Sequence, residues 1–125
     1  MRTRLGWQMA VAEGGRPTSL LNWHMQSAGA EMMRLAIIMA VEAGLKICAP
    51  VHDALLMEAP VTELDDHIAK LQDIMTRASE IVLYGFTVRV GVDVITYPDR
   101  CADARGVSTW NTVMDIVDEL RPLAA

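Results

Sequence analysis

The chain has 125 residues, a hydrophobic fraction of 52% and a net charge of −5. This length allows one domain spanning residues 1–125, or a piece of one, and the apolar content excludes a disordered chain. Residues 1–34 carry a charge of +2 and the remainder carries −7. The isolated chain should therefore not bind nucleic acid tightly, and any such contact should involve the N-terminal third.

Neither the cysteines nor the apolar runs indicate secretion or membrane insertion. Cys48 and Cys101 lack the spacing of metal ligands and are expected to be reduced thiols. The longest apolar run, residues 35–41, is far shorter than the roughly 20 residues that span a bilayer. The sequence predicts a cytoplasmic protein with no membrane contact.

The first half of the chain predicts a strand and a long helix. Residues 5–12 have the pattern of a strand, and a loop rich in Gly and Pro follows. From about residue 20 to residue 43, polar residues fall on one stripe at i, i+4, i+7 and i+15, namely Ser27, Glu31, Arg34 and Glu42. Nearly all the other residues are apolar, which predicts a helix buried on most sides. Gly44 should end it as a left-handed cap.

The second half predicts a hairpin, two helices and a further strand. Residues 46–51 and 54–59 form the arms of a hairpin with His52 and Asp53 at its tip. A capping box at 62–65 opens an amphipathic helix that runs to about Val82. Residues 86–94 alternate as in a strand, and a last helix at 110–120 is capped by Ser108 or Thr109. The fold predicted is α+β: a small antiparallel sheet, made of the hairpin and one or two further strands, packed against three helices.

Asp53 is the most informative residue of this pattern. A buried, unpaired carboxylate costs several kcal/mol, so an acid between two apolar strands needs a metal, a cationic partner or exposure at a cleft. The alternative is a plain turn residue, since Asp favours turns.

Two segments resemble family A DNA polymerases, the DNA polymerase I type. Residues 22–36, Asn-Trp-His-Met-Gln-Ser-Ala-Gly-Ala-Glu-Met-Met-Arg-Leu-Ala, are similar to a helix of that family with the pattern Asn-x-x-x-Gln. Residues 51–54, Val-His-Asp-Ala, resemble its motif C at the tip of a palm hairpin. The resemblance covers roughly residues 4–97 and becomes vague beyond them.

The resemblance implies a site and a reaction. Asp53 would bind the catalytic metals, two Mg²⁺ ions about 3.5–4 Å apart, while a primer 3′-hydroxyl attacks the α-phosphate of a nucleoside triphosphate. Asn22, Gln26 and His52 match positions that contact primer-template DNA. Asn22 and Gln26 lie on one helix face, where their amides suit minor-groove acceptors that every base pair presents. Asn22 as a helix N-cap and His52 as a structural turn residue are the alternatives.

The chain also departs from the family. It lacks motif A, which carries the second metal-binding aspartate, and motif B, the fingers helix that grips the triphosphate. Ala54 and Thr18 stand where the family has an acid and a basic residue. The sequence therefore predicts a C-terminal palm fragment, inactive unless a second polypeptide supplies motif A and the fingers: a truncated gene product, half of a split polymerase or an excised segment. The alternative is a non-catalytic remnant that self-associates as a homo-oligomer through its apolar helix.

Overall fold

Helices and an antiparallel hairpin form the regular structure of the described residues. The computed structural model describes residues 2–10, 14, 17–99 and 103–121. The elements in chain order are α1 (Pro17–Glu42), β1 (Lys46–Val51), β2 (Ala54–Glu58), α2 (Leu64–Val82) and α3 (Val107–Leu120). The predicted α+β class is confirmed, with three helices and a two-stranded sheet in the described ranges.

Helix α1 begins earlier than predicted and ends where predicted. Pro17 opens it, because proline has no N–H to lose in the first turn and its fixed φ suits a helix. Gly44 has a φ of 80°, the left-handed conformation expected of it. Leu45 N–H donates to the Ala40 carbonyl at 2.9 Å and Gly44 N–H to the Val41 carbonyl at 3.0 Å. These two bonds form a Schellman cap, which turns the chain back into β1.

The burial predicted for α1 is wrong. Two residues of its polar stripe, Ser27 and Glu31, are 2% and 1% exposed, whereas Leu21 and Met25 are each 76% exposed. The reason is a contact distant in sequence: Thr3 and Leu5 donate hydrogen bonds to the Glu31 carboxylate. The N-terminal segment thus covers part of the polar stripe and leaves apolar side chains of α1 in solvent.

The core lies between α1, α2 and the hairpin. Its buried members are Ala36, Ala40, Leu45, Leu71, Ile74 and Ala78. Ala40 and Ala78 are fully buried, and their small side chains let the two helices approach closely. Ile47, Leu55 and Met57 of the hairpin pack against this cluster, so the hairpin rests on the helix pair.

Helix α2 has the predicted amphipathic core face but a different start. Val61–Glu63 form a single 3-10 turn, and Glu63 is the N-cap of α2 without a side-chain capping bond. The capping box predicted at 62–65 is therefore wrong. The 3-10 turn brings Glu63 N–H to the Pro60 carbonyl at 2.9 Å, so backbone groups close this end of the helix.

The predictions of a strand at residues 86–94 and of a strand at residues 5–12 are also wrong. Residues 86–94 are irregular, because α2 rather than a neighbouring strand bonds their backbone: Val88 N–H donates to Ser79 Oγ at 2.9 Å, and Gln72 Nε2 donates to the Val90 carbonyl at 3.1 Å. The strand predicted at 5–12 shows only an isolated bridge between Arg2 and Gln8 in its neighbourhood. Residues 11 and 12 lie outside the described part.

The backbone divides into two compact units, Met1–Val92 and Asp93–Ala125. In the second, α3 begins at Val107, so Ser108 and Thr109 lie inside the helix and neither caps it. Asp103 instead caps the preceding 3-10 turn, its Oδ1 accepting from Arg105 N–H at 2.8 Å. The single domain expected for residues 1–125 stays a prediction. No helix within the described ranges is long and apolar enough to cross a bilayer.

Candidate functional site

A two-residue turn displays His52 and Asp53 at the end of the hairpin. Strands β1 and β2 pair antiparallel, and Val51 and Ala54 are the last partners before the turn. His52 has a φ of 55°, a left-handed conformation that costs a residue other than Gly roughly 1–2 kcal/mol. Two-residue hairpin turns normally use a positive φ, and His is one of the residues enriched in that region. The hairpin therefore holds an imidazole and a carboxylate at a fixed bend.

The hairpin tip can supply one carboxylate ligand of a metal site, that of Asp53. Asp53 and His52 are both exposed, so the carboxylate has no desolvation cost to offset and is open to a cation. No group of three or more His, Cys, Asp or Glu side chains with metal-binding geometry occurs in the described ranges. Mg²⁺ is commonly held by one or two carboxylates together with water and substrate phosphates. Asp53 can supply one such carboxylate, and the remaining ligands must come from elsewhere.

Asn22 and Gln26 lie in the first half of α1 with exposed side chains. Because the helix begins at Pro17, Asn22 stands inside it, and the N-cap alternative is wrong. Eighteen residues separate Asn22 from Ala40, which is about five turns of helix, so the two share a face. Ala40 belongs to the core on which the hairpin packs. Asn22 therefore lies on the same side of α1 as Ala40, which packs in the core shared with α2.

The hairpin lies against α1 through β1, and Ile47 and Leu55 pack on the core that α1 and α2 build together. Asn22 and Gln26 lie about 6 Å apart along the axis of α1. The polymerase interpretation requires the tip of the hairpin to lie close to these two amides.

An ion pair closes the opposite end of the hairpin. Lys46 and Glu58 are cross-strand partners, and Lys46 Nζ donates to Glu58 Oε1. This hydrogen bond holds the pKa of Glu58 below its ordinary value and raises the pKa of Lys46. Both side chains are well exposed, so the pair adds little stability.

Sequence reasoning missed the part played by Glu31 and the arginines near it. Glu31 is buried beneath residues 2–8, which we call the N-terminal hook, and accepts from Leu5 N–H at 3.1 Å. The Arg34 guanidinium stacks on the Trp7 ring at 4.9 Å and Arg4 on the Tyr84 ring at 4.6 Å. A sequence signal existed for one of these groups: an acid inside an otherwise apolar helix needs a partner if it is buried.

No protein-family model, curated protein or solved structure matches this chain.

Proposed function

We propose that this chain is a fragment of the palm of a DNA-directed DNA polymerase, in which Asp53 is a ligand of the catalytic Mg²⁺ ions. The observation that carries the proposal is the exposed carboxylate of Asp53 at the hairpin turn, in a chain whose helix α1 carries two exposed amides, Asn22 and Gln26, about one helical turn apart. The resemblance of residues 22–36 and 51–54 to family A polymerases supplies the reaction: transfer of a nucleotide from a dNTP to a primer 3′-hydroxyl on a DNA template.

Each site residue has a role that its environment supports. Asp53 holds a metal through an exposed carboxylate. Asn22 and Gln26 present donors about 6 Å apart along the helix, which suits hydrogen bonds to acceptors in the minor groove, where base pairs look alike. His52 presents its imidazole at the same bend, in reach of the primer end. Together these residues position the primer without reading its sequence.

When bound beside Asp53, Mg²⁺ would supply Lewis acidity to the attack of the 3′-hydroxyl on the α-phosphate and to the departure of pyrophosphate. One carboxylate does not make a two-metal site, and Mg²⁺ dehydrates reluctantly. The isolated fragment should therefore bind Mg²⁺ weakly and extend no primer. Activity requires a second polypeptide that brings the motif A acid and the fingers helix that binds the dNTP.

A reconstituted primer-extension assay tests this function. The chain is mixed with a polypeptide carrying motif A and the fingers of a family A polymerase, a primed template, dNTPs and Mg²⁺. We expect extension that Asp53→Ala abolishes and Asn22→Ala or Gln26→Ala reduces. Asp73→Ala is the matched control, because Asp73 is an exposed acid on α2, away from the hairpin.

Two outcomes would contradict the proposal. Extension that survives Asp53→Ala at the level of the Asp73→Ala control would remove the carboxylate from catalysis. Failure of the complemented mixture to extend any primer, with the two polypeptides shown to associate, would remove the polymerase function itself.

The second candidate is a non-catalytic remnant that self-associates. The observation that favours it is the exposed apolar surface of α1, where Leu21 and Met25 are each 76% exposed and Ile38 and Val41 are more than half exposed. Apolar surface of this kind commonly marks a contact with another protein. Sedimentation distinguishes the candidates: a dimer that Met25→Lys dissociates favours the remnant, and a folded monomer at high concentration counts against it.

A further inference from the structure

Two arginine–aromatic stacks flank one turn of backbone in the N-terminal hook. Trp7 N–H donates to Thr3 Oγ1 at 2.8 Å, and Thr3 N–H donates to the Trp7 carbonyl at 2.9 Å. This closed turn contains Arg4, which stacks on Tyr84, and Trp7, on which Arg34 stacks. The two stacks are therefore neighbours, held in place by the bond from Leu5 N–H to buried Glu31.

Both aromatic rings remain accessible although an arginine covers part of each. Trp7 is 48% exposed and Tyr84 is 77% exposed. An isolated globular domain gains nothing from leaving a tryptophan and a tyrosine in water, and a cation on one ring face at an exposed site contributes only about 0.5–1 kcal/mol. Each stack thus presents an open π-surface beside a positive charge.

The backbone conformation of Tyr84 is a second, independent observation that indicates a function for its side chain. It follows the C-cap of α2 with a φ of 55°, the left-handed conformation that normally belongs to Gly at this position. A bulky residue there is a genuine outlier. A Gly at this position would end the helix without strain. Because the chain has a strained Tyr instead, the side chain of Tyr84 is expected to have a function.

We propose that Trp7 and Tyr84, with Arg4 and Arg34, form a binding platform for single-stranded nucleic acid. The inference deepens the proposed function and rests on it for its biological role, a second contact with a DNA strand outside the hairpin site. Single strands are bound by aromatic side chains on which bases stack and by cations that pair with phosphates. The four side chains supply both kinds of contact, and stacking accepts any base.

The shape and charge around the hook favour a flexible strand over a duplex. An open cleft of about 480 Å³ adjoins Trp7 and Arg34 and has Glu31, Leu35 and Ile38 in its walls, which leaves space beside the Trp7 ring. The positive charge is local, since residues 1–34 carry +2 and the remainder −7. A long duplex would meet the acidic remainder of the chain, whereas a short single strand can follow the hook.

The test is a binding titration with a labelled oligothymidylate, followed by fluorescence anisotropy in the presence of a chelator, so that no metal site contributes. We expect the single strand to bind at least about tenfold more tightly than a duplex of equal length. Trp7→Ala and Tyr84→Gly should each weaken binding about five- to tenfold, in line with the loss of one stacked base. Trp110→Ala is the matched control, an exposed tryptophan in α3.

Two further readouts separate binding from folding. Tyr84→Gly relieves the left-handed strain, so its urea midpoint should not fall while its affinity does. Arg34→Gln should lower the slope of log K against log salt by about 0.7, the loss of one phosphate contact on a single strand. Equal affinity for single and double strands, or a Trp7→Ala/Tyr84→Gly double variant that binds as the Trp110→Ala control does, would overturn the platform. Failure of primer extension to depend on Asp53 would leave this result untouched and overturn only the proposed function.

Discussion

Replacing Glu31 by Gln tests whether a buried carboxylate anchors the N-terminal hook. The side chain is 1% exposed and accepts from Thr3 Oγ1 and Leu5 N–H. The amide has nearly the same shape but offers one oxygen, so one donor loses its partner and faces an N–H group. Hydrogen bonds to charged groups contribute about 1.5–3 kcal/mol, and an unsatisfied buried donor adds to the cost. We therefore expect the free energy of unfolding to fall by about 2–3 kcal/mol.

Urea denaturation followed by circular dichroism measures this loss. For a chain of this size the dependence on urea is roughly 1–2 kcal/mol per molar, so the midpoint should fall by about 1–3 M. Glu42→Gln is the control, because Glu42 ends the same helix with an exposed side chain. A Glu31→Gln midpoint equal to that of the control would refute the idea that the carboxylate holds residues 2–8 on α1.

Three further changes follow from single contacts. Ser79→Ala removes the partner of Val88 N–H and should cost about 1–2 kcal/mol, with faster hydrogen exchange at that amide; unchanged exchange would contradict the bond. His52→Gly relieves the left-handed φ and should stabilise the hairpin by ~0.5–1 kcal/mol while weakening primer binding in the reconstituted enzyme; a loss of stability would show that the imidazole supports the turn. Because the pKa of Glu58 is lowered in the folded state by Lys46, its small stabilising effect is present above the unfolded pKa near 4.5 and is lost as the pH falls through the folded value. A Glu58→Gln variant should therefore lose less stability than the parent between pH 5 and the folded pKa in thermal melts, and parallel curves would contradict the ion pair.

The hairpin and α2 could be predicted from sequence because their signals are local. The strand arms, the two-residue turn and Pro60 all lie within fifteen residues, and the turn sets the register of the pairs next to it, up to the shift between Ile47 and Ala49. The face of α2 is set by an apolar period that packing preserves. Gly44 is a similar case, since a left-handed cap depends only on the residues around it.

Residues whose environment comes from distant contacts could not be predicted. The burial of Glu31 depends on Thr3 and Leu5, more than 25 positions away, and no pattern within α1 reveals it. The alternating pattern of residues 86–94 is compatible with a strand and also with an extended segment that hydrogen-bonds to helix side chains. The structure has the second arrangement, because Ser79 and Gln72 of α2 bond to the backbone of this segment. Nothing in the sequence identifies these two polar residues as its partners.

The candidate site likewise has features that local sequence predicts and a feature that only the structure gives. Asp53 and His52 stand at the tip because the hairpin is local, and the structure leaves both exposed. That Asn22 and Gln26 share a helix face follows from their spacing. That their side chains are exposed required the structure, because the segment that covers another part of α1 lies far from it in sequence.

Paramagnetic NMR with Mn²⁺ tests the central claim most directly, because it reports both metal binding at Asp53 and the distance to the amides of α1. Mn²⁺ replaces Mg²⁺ at oxygen ligands and broadens signals near it. We predict that titration broadens the backbone signals of His52 and Asp53 together with the side-chain amide signals of Asn22 and Gln26, and that Asp53→Asn removes all of these effects. Broadening centred elsewhere, or confined to the hairpin with sharp amide signals from α1, would contradict a shared metal and primer site.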